Sequence, residues 1–392
     1  MGRSDIIPEI AHRVLCASFE QPWNFPHLVD REVTRNHALR SADRRELTEI
    51  LHDSVRWRRR IWGDIAPSRM DDAYVRERLV EAKSLRHAPP ITKWSSLSMD
   101  ALARELSYPT WLIERWIHNL GLASTISLAL SMNEPAPVTL RTNILRIDRK
   151  ALKDRLAKED VPTQETRQSP WGLNVTGRRN LRGLRSFKMG FFEIQDEGSQ
   201  MAVLLSEAKS DQTVVDACTG AGGKALAIAG LLRNSGRILA LDADSRPFAE
   251  LQRRAKRSGV KNIETMWVAA DDPDPLPSFK KKADIVLVDA PCSSLGTLRR
   301  RPWAKWAISA ENADQFPKRQ LALLRRFAQV VKPNGRIEYI TCTLHAAENE
   351  AVVSAFQKEE TEFTPLGDPK ILRPDTDGCD GFFIARFERL TA

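Results

Sequence analysis

Ala283-Asp284-Ile285-Val286-Leu287-Val288-Asp289-Ala290-Pro291-Cys292 and Arg336-Ile337-Glu338-Tyr339-Ile340-Thr341-Cys342 are two short apolar runs, each followed by a cysteine. Both are rich in β-branched residues and bounded by polar or turn residues, the pattern of strands buried on both faces of a parallel sheet. The helical stretch between them, 315–331, is long enough for a crossover. Consecutive parallel strands would carry both thiols to the carboxyl edge of one sheet, where open α/β folds bind ligands. Two thiols at one edge point to nucleophilic chemistry.

Outward from these runs, strands are expected at 213–217, 237–243 and 263–268, alternating with helices. That alternation predicts a Rossmann-like, doubly wound and mostly parallel α/β sheet. The first of these strands runs into Cys218-Thr219-Gly220-Ala221-Gly222-Gly223-Lys224 and then a helix over 225–232. Glycines let the backbone approach a ligand closely, and free amides at a helix start attract negative groups. The next strand ends in Asp242, about twenty residues on, where a carboxylate can accept hydrogen bonds from ribose hydroxyls. The plainer reading of Asp242 is a helix cap before Ser245-Arg246-Pro247. Gly220-Ala221-Gly222-Gly223 lacks a clean GxGxxG, so spacing alone leaves dinucleotide and methyl-donor sites both open.

The first third reads as helix. Ile7, Ile10, Ala11, Val14, Leu15 and Phe19 form one apolar stripe; Leu47, Ile50, Leu51, Val55 and Ile61 a second; Trp111, Leu112, Trp116, Ile117 and Leu120 a third, ending at Gly121. Six of the ten tryptophans precede residue 120, and core packing is the expected use of most of them. Pro135-Ala136-Pro137 breaks this region, and a strand is expected over 138–143. The stretch 160–190 is polar, turn-rich and basic, a pattern usually found in a solvated loop. Three segments result: 1–134, helical; 135–205, a strand-containing linker subdomain with a basic loop; and 206–392, the α/β domain.

With 392 residues the chain can bury a sizeable core. Five cysteines, an odd number without CxxC spacing, argue against a disulfide framework or a zinc site and for a reducing cytoplasm. The first ten residues lack the apolar centre of a signal peptide, and no apolar run approaches membrane-spanning length. Sixty Lys+Arg against 51 Asp+Glu give +9, a balance compatible with nucleic acid.

Most cysteines in apolar runs are inert packing residues. Cys292 and Cys342 differ, because each follows a strand and has polar company. Addition of a thiolate to carbon 6 of a pyrimidine makes carbon 5 nucleophilic toward a sulfonium methyl donor. A base must then remove the carbon-5 proton before the thiol is expelled, so one nucleophile and one base make chemical sense of two cysteines.

On these residues the chain resembles an RsmB-type member of the RNA cytosine-5 methyltransferase family, which uses S-adenosylmethionine. The matching segments are Asp216-Ala217-Cys218-Thr219-Gly220-Ala221-Gly222-Gly223-Lys224, Asp289-Ala290-Pro291-Cys292 with Arg299-Arg300-Arg301-Pro302, Thr341-Cys342-Thr343 with Glu348-Asn349, and Asp380-Gly381-Phe382-Phe383. Gln195-Asp196-Glu197-Gly198-Ser199-Gln200 also matches. The resemblance implies a methyl transfer to RNA, with small-subunit ribosomal RNA as the expected substrate. It implies Cys342 as nucleophile, Cys292 in product release and Asp289 between donor and base. It further implies that Cys218, Thr219, Gly220, Ala221, Gly222, Gly223, Lys224, Asp242 and, in preference to Asp272, Asp271 hold the donor. No metal and no membrane are implied, and a monomer is expected. The helices before residue 120 resemble a NusB-like RNA-binding domain, in which Arg58-Arg59-Arg60, with 178–188 beyond it, are expected to track phosphates. A scaffold with a degenerate site is the alternative. Two departures bear on this. The family's Ala-Pro-Gly-Gly-Lys-Thr reads Gly220-Ala221-Gly222-Gly223-Lys224-Ala225 here, a more flexible loop. Trp303 stands where the family often carries an acid, which should alter local substrate contacts.

Overall fold

The computed structural model describes residues 3–84, 93–177 and 179–391. It divides into two compact units: Met1–Pro135 with Thr297–Asp314, and Ala136–Gly296 with Gln315–Ala392. The expected three segments are thus arranged as two units, the linker subdomain lying within the second.

The first unit is helical. The three apolar stripes become helices Arg3–Glu20, Ser41–Arg56 with Arg58–Trp62, and Thr110–Leu120. Gly121, at φ +77°, ends the last of them in a backbone conformation that side chains resist. Trp57, Trp62 and Trp116 are fully buried, as core tryptophans should be, whereas Trp23 is exposed. The unit also takes in a segment far away in sequence. Trp303 and Trp306 pack against its core, Trp303 5.5 Å from the Phe25 ring. Between them Lys305 is completely buried; its ammonium donates to the Arg56 carbonyl and to Asn133 Oδ1, both at 2.8 Å, and lies 3.8 Å from the Tyr108 ring centre. Trp303 therefore serves the core of this unit, which accounts for an aromatic residue at that position.

In the second unit, a small antiparallel sheet is formed by β1 (Val138–Thr142), β2 (Thr163–Glu165), β3 (Gly172–Val175) and β4 (Phe192–Ile194), in the order β2-β3-β1-β4. The stretch expected to be a solvated loop thus supplies two of its strands.

The large sheet comprises β5 (Thr213–Asp216), β6 (Arg237–Asp242), β7 (Ile263–Trp267), β8 (Ala283–Asp289), β9 (Val331–Thr341), β10 (Phe363–Pro365), β11 (Lys370–Leu372) and β12 (Phe382–Arg389). Its order is β10-β12-β9-β8-β5-β6-β7, with β11 also on β12. Strands β5 to β9 are parallel, and β12 runs antiparallel to β9, which gives the expected mostly parallel, Rossmann-like sheet. The helix Phe316–Ala328 makes the crossover between β8 and β9. Alternate residues of the strands enter two apolar layers, Val286, Val288, Ile337 and Tyr339 on one face, Ile285, Leu287 and Ile340 on the other. From β5 the chain moves outward through β6 and β7, then returns to build β8 and β9 on the opposite side. The strand order reverses between β5 and β8, and the crevice at such a reversal is where these sheets bind ligands.

Among the described residues no helix is long and apolar enough to cross a membrane, and no His/Cys/Asp/Glu group could hold a metal ion.

Candidate active site

The parallel pairing of β8 with β9 sets Asp289 opposite Ile340, so the turns that follow both strands leave the sheet together. Their cysteines meet: Cys292 Sγ lies 3.4 Å from Cys342 Sγ. The two loops are tied from behind by Glu348, which is wholly buried. One of its carboxylate oxygens accepts from Ser293 N–H and from Gln320 Nε2, both at 2.9 Å. Ser293 Oγ also bonds Thr343 Oγ1 at 2.9 Å, and Asn349 accepts from the Thr341 hydroxyl at 2.6 Å. Ser294, at φ +59°, brings its hydroxyl 3.6 Å from Cys342 Sγ.

These contacts divide the two thiols. The hydrogen bond from Cys292 holds Cys342 below the ordinary thiol value against its burial, with help from the Ser294 hydroxyl and the Lys224 charge. The same bond, then burial and the Cys342 charge, pushes Cys292 well above it. Cys292 therefore keeps its proton more firmly, and Cys342 is the more readily ionised thiol of the two.

Asp289 forms an ion pair with Lys224, whose side chain is 9% exposed. Burial alone would lower the Lys224 pKa; Asp289, with Asp216, outweighs it and raises the value. Asp216, at the end of β5, is raised to about 7 by burial and by the nearby Asp289 charge. Its Oδ2 accepts from the Thr219 hydroxyl at 3.1 Å.

Beside this edge lies a cavity of about 820 Å³ whose lining includes Cys218, Gly220, Asp242, Asp271, Asp289 and Pro291. Asp242 closes one side: its Oδ2 accepts from Gly220 N–H at 2.7 Å and its Oδ1 from Asp244 N–H at 2.9 Å. It therefore ties the glycine turn and holds its own turn, and it does not cap the following helix, Phe248–Ser258, whose first turn has no side-chain cap. Asp271 and Asp272 both line the cavity, but Asp272 Oδ1 turns back to Asp274 N–H at 3.0 Å. Thr219, Ala221, Gly222, Gly223 and Lys224 do not line it; they shape the turn behind Gly220 and lead into the helix Gly223–Leu231. The Cys218 thiol, raised by burial and by Asp289, is poorly suited to react.

Sequence reading missed several contributors. Arg326, from the helix Phe316–Ala328, donates to the carbonyls of Ala269 and Ala270 and so fixes the loop that carries Asp271. Glu348 lay within a recognised motif, but only its contacts reveal that it ties the two cysteine loops together. Conversely, Arg58, Arg59 and Arg60 are occupied inside the helical unit. Arg58 lies 4.2 Å over the Phe19 ring and is lowered to about 10 by burial; Arg59 pairs with Asp64 and Asp100, and Arg60 with Glu105. Of the stretch 178–188, Arg178 lies outside the described residues, while Arg179, Arg182, Arg185 and Lys188 are exposed.

The chain is similar to known proteins over most of its length. The family model described as 16S rRNA methyltransferase RsmB/F matches residues 202–388, and a model for the ferredoxin-like domain of the same family matches 108–182. The chain is 31% identical over 305 residues to a probable ribosomal RNA small subunit methyltransferase B of Bacillus subtilis, covering 74% of this chain and 68% of that protein. It is also 31% identical over 222 residues to a tRNA (cytosine(72)-C(5))-methyltransferase of Pyrococcus horikoshii, covering 54% of this chain and 56% of that one. The crystal structure of the protein PH0851 superposes with a TM-score of 0.80 at 24% identity, over 99% of both chains, and so shares the fold. With its parallel sheet, its paired cysteines and its extended match to these relatives, the chain belongs to the RsmB/F family of S-adenosylmethionine-dependent methyltransferases.

Proposed function

We propose that this protein methylates carbon 5 of a cytosine in RNA, by way of a covalent bond between Cys342 and carbon 6, and that small-subunit ribosomal RNA is its substrate. The observation that carries the reading is the 3.4 Å contact of two thiols whose acidities are driven apart, with Cys292 next in sequence to Pro291 in the wall of an acid-lined cavity. The B. subtilis relative's name supports the ribosomal substrate, and the P. horikoshii relative's name supports carbon 5 of cytosine.

The residues of the cavity fit S-adenosylmethionine. Asp242 suits ribose hydroxyls and Asp271 the adenosine, while Asp289, held by Lys224, adds a third carboxylate to the lining. When bound, the donor supplies an electrophilic methyl group on sulfur. The protein's part begins with Cys342, whose thiolate adds to carbon 6 and leaves carbon 5 electron-rich. Asp289, held by Lys224, is available to the cytosine amine or ring nitrogen. After carbon 5 has gained its methyl group it must lose its proton, and Cys292 as a thiolate is the base. At rest Cys292 is protonated, in part because the Cys342 charge opposes its ionisation. Once Cys342 is bonded to carbon 6 it is a neutral thioether and that opposition lapses. Cys292 then releases its own proton to solvent more easily, takes the carbon-5 proton as a thiolate, and the re-forming double bond expels Cys342 as a thiolate.

For RNA, the exposed Arg179, Arg182, Arg185 and Lys188 remain candidates for phosphate contact, whereas Arg58 to Arg60 are engaged within the helical unit. The NusB-like reading of that unit as an RNA-binding part therefore needs other cations.

The test is Cys292→Ala incubated with S-adenosylmethionine and a small-subunit ribosomal RNA transcript. Elimination should stall, leaving a slow-migrating band on a denaturing gel that collapses on nuclease treatment. Normal turnover without such a band would remove Cys292 from the release step.

A further inference from the structure

The glycine turn has Ala221 where the resemblance noted above implies a proline, and the structure surrounds that turn with restraints supplied from elsewhere. On the side of β6, Thr219 N–H donates to the Leu241 carbonyl at 2.8 Å and Gly220 N–H to Asp242 Oδ2 at 2.7 Å. Two further restraints are arginines from outside the turn. Arg254 Nη1, from the helix Phe248–Ser258, donates to the Ala221 carbonyl at 2.5 Å. Arg141 Nη1, from β1, donates to the Gly223 carbonyl at 2.5 Å.

Both arginines belong to one network. Arg141 is 4% exposed and faces Glu193 across the β1–β4 pairing; it also donates to Gln195 Oε1 at 2.6 Å. Glu193, itself 3% exposed, accepts from Arg254 Nε at 3.1 Å and pairs with Arg257. The helix that carries Arg254 also lies against Gly222, at φ +76°, where an added Cβ would fall 1.9 Å from Leu251 Cδ1. A peptide group is planar, so holding a carbonyl also orients the amide that follows it. Arg254 therefore holds the peptide whose amide, Gly222 N–H, closes the turn on the Thr219 carbonyl at 2.8 Å. Arg141 orients the amide of Lys224, the residue that reaches Asp289.

We infer that Arg141, Glu193 and Arg254 form a brace that holds the glycine turn in its donor-binding shape, with Arg141 and Arg254 as positioning residues for S-adenosylmethionine. The inference rests on the donor reading proposed above. It also accounts for the small sheet, one face of which sets the backbone geometry of the donor site. A proline restricts a turn through its own ring; here two side chains restrict it from outside.

The test is calorimetric titration of the full chain with S-adenosylmethionine, together with steady-state kinetics. Arg254→Ala should weaken donor binding roughly tenfold, the loss of one charge-assisted hydrogen bond. The KM for the donor should rise by a similar factor while kcat falls much less. Ala221→Pro added to this variant should recover about fivefold in affinity, against less than about twofold when made in the wild type, a coupling that a general loss of stability would not produce. If Arg254→Ala does not fold, Arg254→Met, which retains the side-chain stem, takes its place. A wild type that binds no S-adenosylmethionine would overturn the donor reading and the brace with it. A wild type that binds while the Arg254 variant binds equally well, or an equal effect of Ala221→Pro in both backgrounds, would overturn the brace alone.

Discussion

Lys305 in the helical unit and the Cys292–Cys342 pair at the sheet edge are both ionisable groups drawn away from water, and they differ in how their surroundings are satisfied. Lys305 has two oxygen acceptors and an aromatic face, fixed by a core that has no other use for them. Burial lowers its pKa well below the ordinary value, followed by the nearby Arg56 charge. Nothing there changes during a reaction. The cysteines lie in hydrogen-bond contact and each shifts the acidity of the other, so a bond formed at one alters the acidity of the other. Burial alone therefore does not mark a catalytic group; a partner whose charge can change does. Glu338 is a third case, buried on β9 with no hydrogen-bond partner among the described residues for either carboxylate oxygen, and raised to about 8 mainly by that burial.

The sharpest way to break the contrast is Cys342→Ala. Methyl transfer should fall by about four orders of magnitude or more, as expected for loss of a nucleophile, while S-adenosylmethionine still binds in calorimetry. Measurable turnover near the wild-type rate would end the comparison.

Glu338→Gln tests the partnerless case through pH. The folded carboxyl, at about 8, is harder to ionise than in the unfolded chain, at about 4.3. Between those values the unfolded state has lost its proton and the folded state has kept it, so wild-type stability declines as pH rises and the decline stops above about 8. The variant lacks this decline. Its stability relative to wild type should grow from pH 5 to 8, by on the order of 2–4 kcal/mol in urea titrations. A constant difference would show that the carboxyl titrates alike in both states.

Lys305→Met should cost about 1–3 kcal/mol, because Asn133 Oδ1 and the Arg56 carbonyl lose their donor. Thermal unfolding would register this, with donor affinity little altered. The smallest effect is the most informative about the thiol pair. Cys292→Ala removes the S–H that lowers Cys342, so the acid limb of single-turnover methylation should shift to higher pH, by about half a unit to one unit. An unmoved limb would separate the acidity of Cys342 from its neighbour.

How legible each part was in the sequence follows from the range of the forces involved. The strands ending at Asp289 and Thr341 were readable because their residues are buried on both faces and their turns carry distinctive chemistry. Asp242 was readable because a strand tip has a fixed place relative to the preceding glycine turn. The small sheet was not, since β2 and β4 are three residues long and show too little alternation to register. Arg58 to Arg60 formed a conspicuous charge run, but their partners Asp64, Asp100 and Glu105 could be recognised only after folding. Trp303 and Lys305 likewise lie more than 160 residues in sequence from the groups that satisfy them.

That last separation has a consequence for the order in which the chain can mature during synthesis. The first 135 residues emerge without Trp303, Lys305 and Trp306, which complete their core. Roughly 170 more residues must be translated before these arrive, on the order of ten to thirty seconds at ordinary elongation rates. Until then the helices hold an unfilled apolar face, and the Arg56 carbonyl and Asn133 side chain await their donor. The helical unit begins first and finishes late, after β8 has been made.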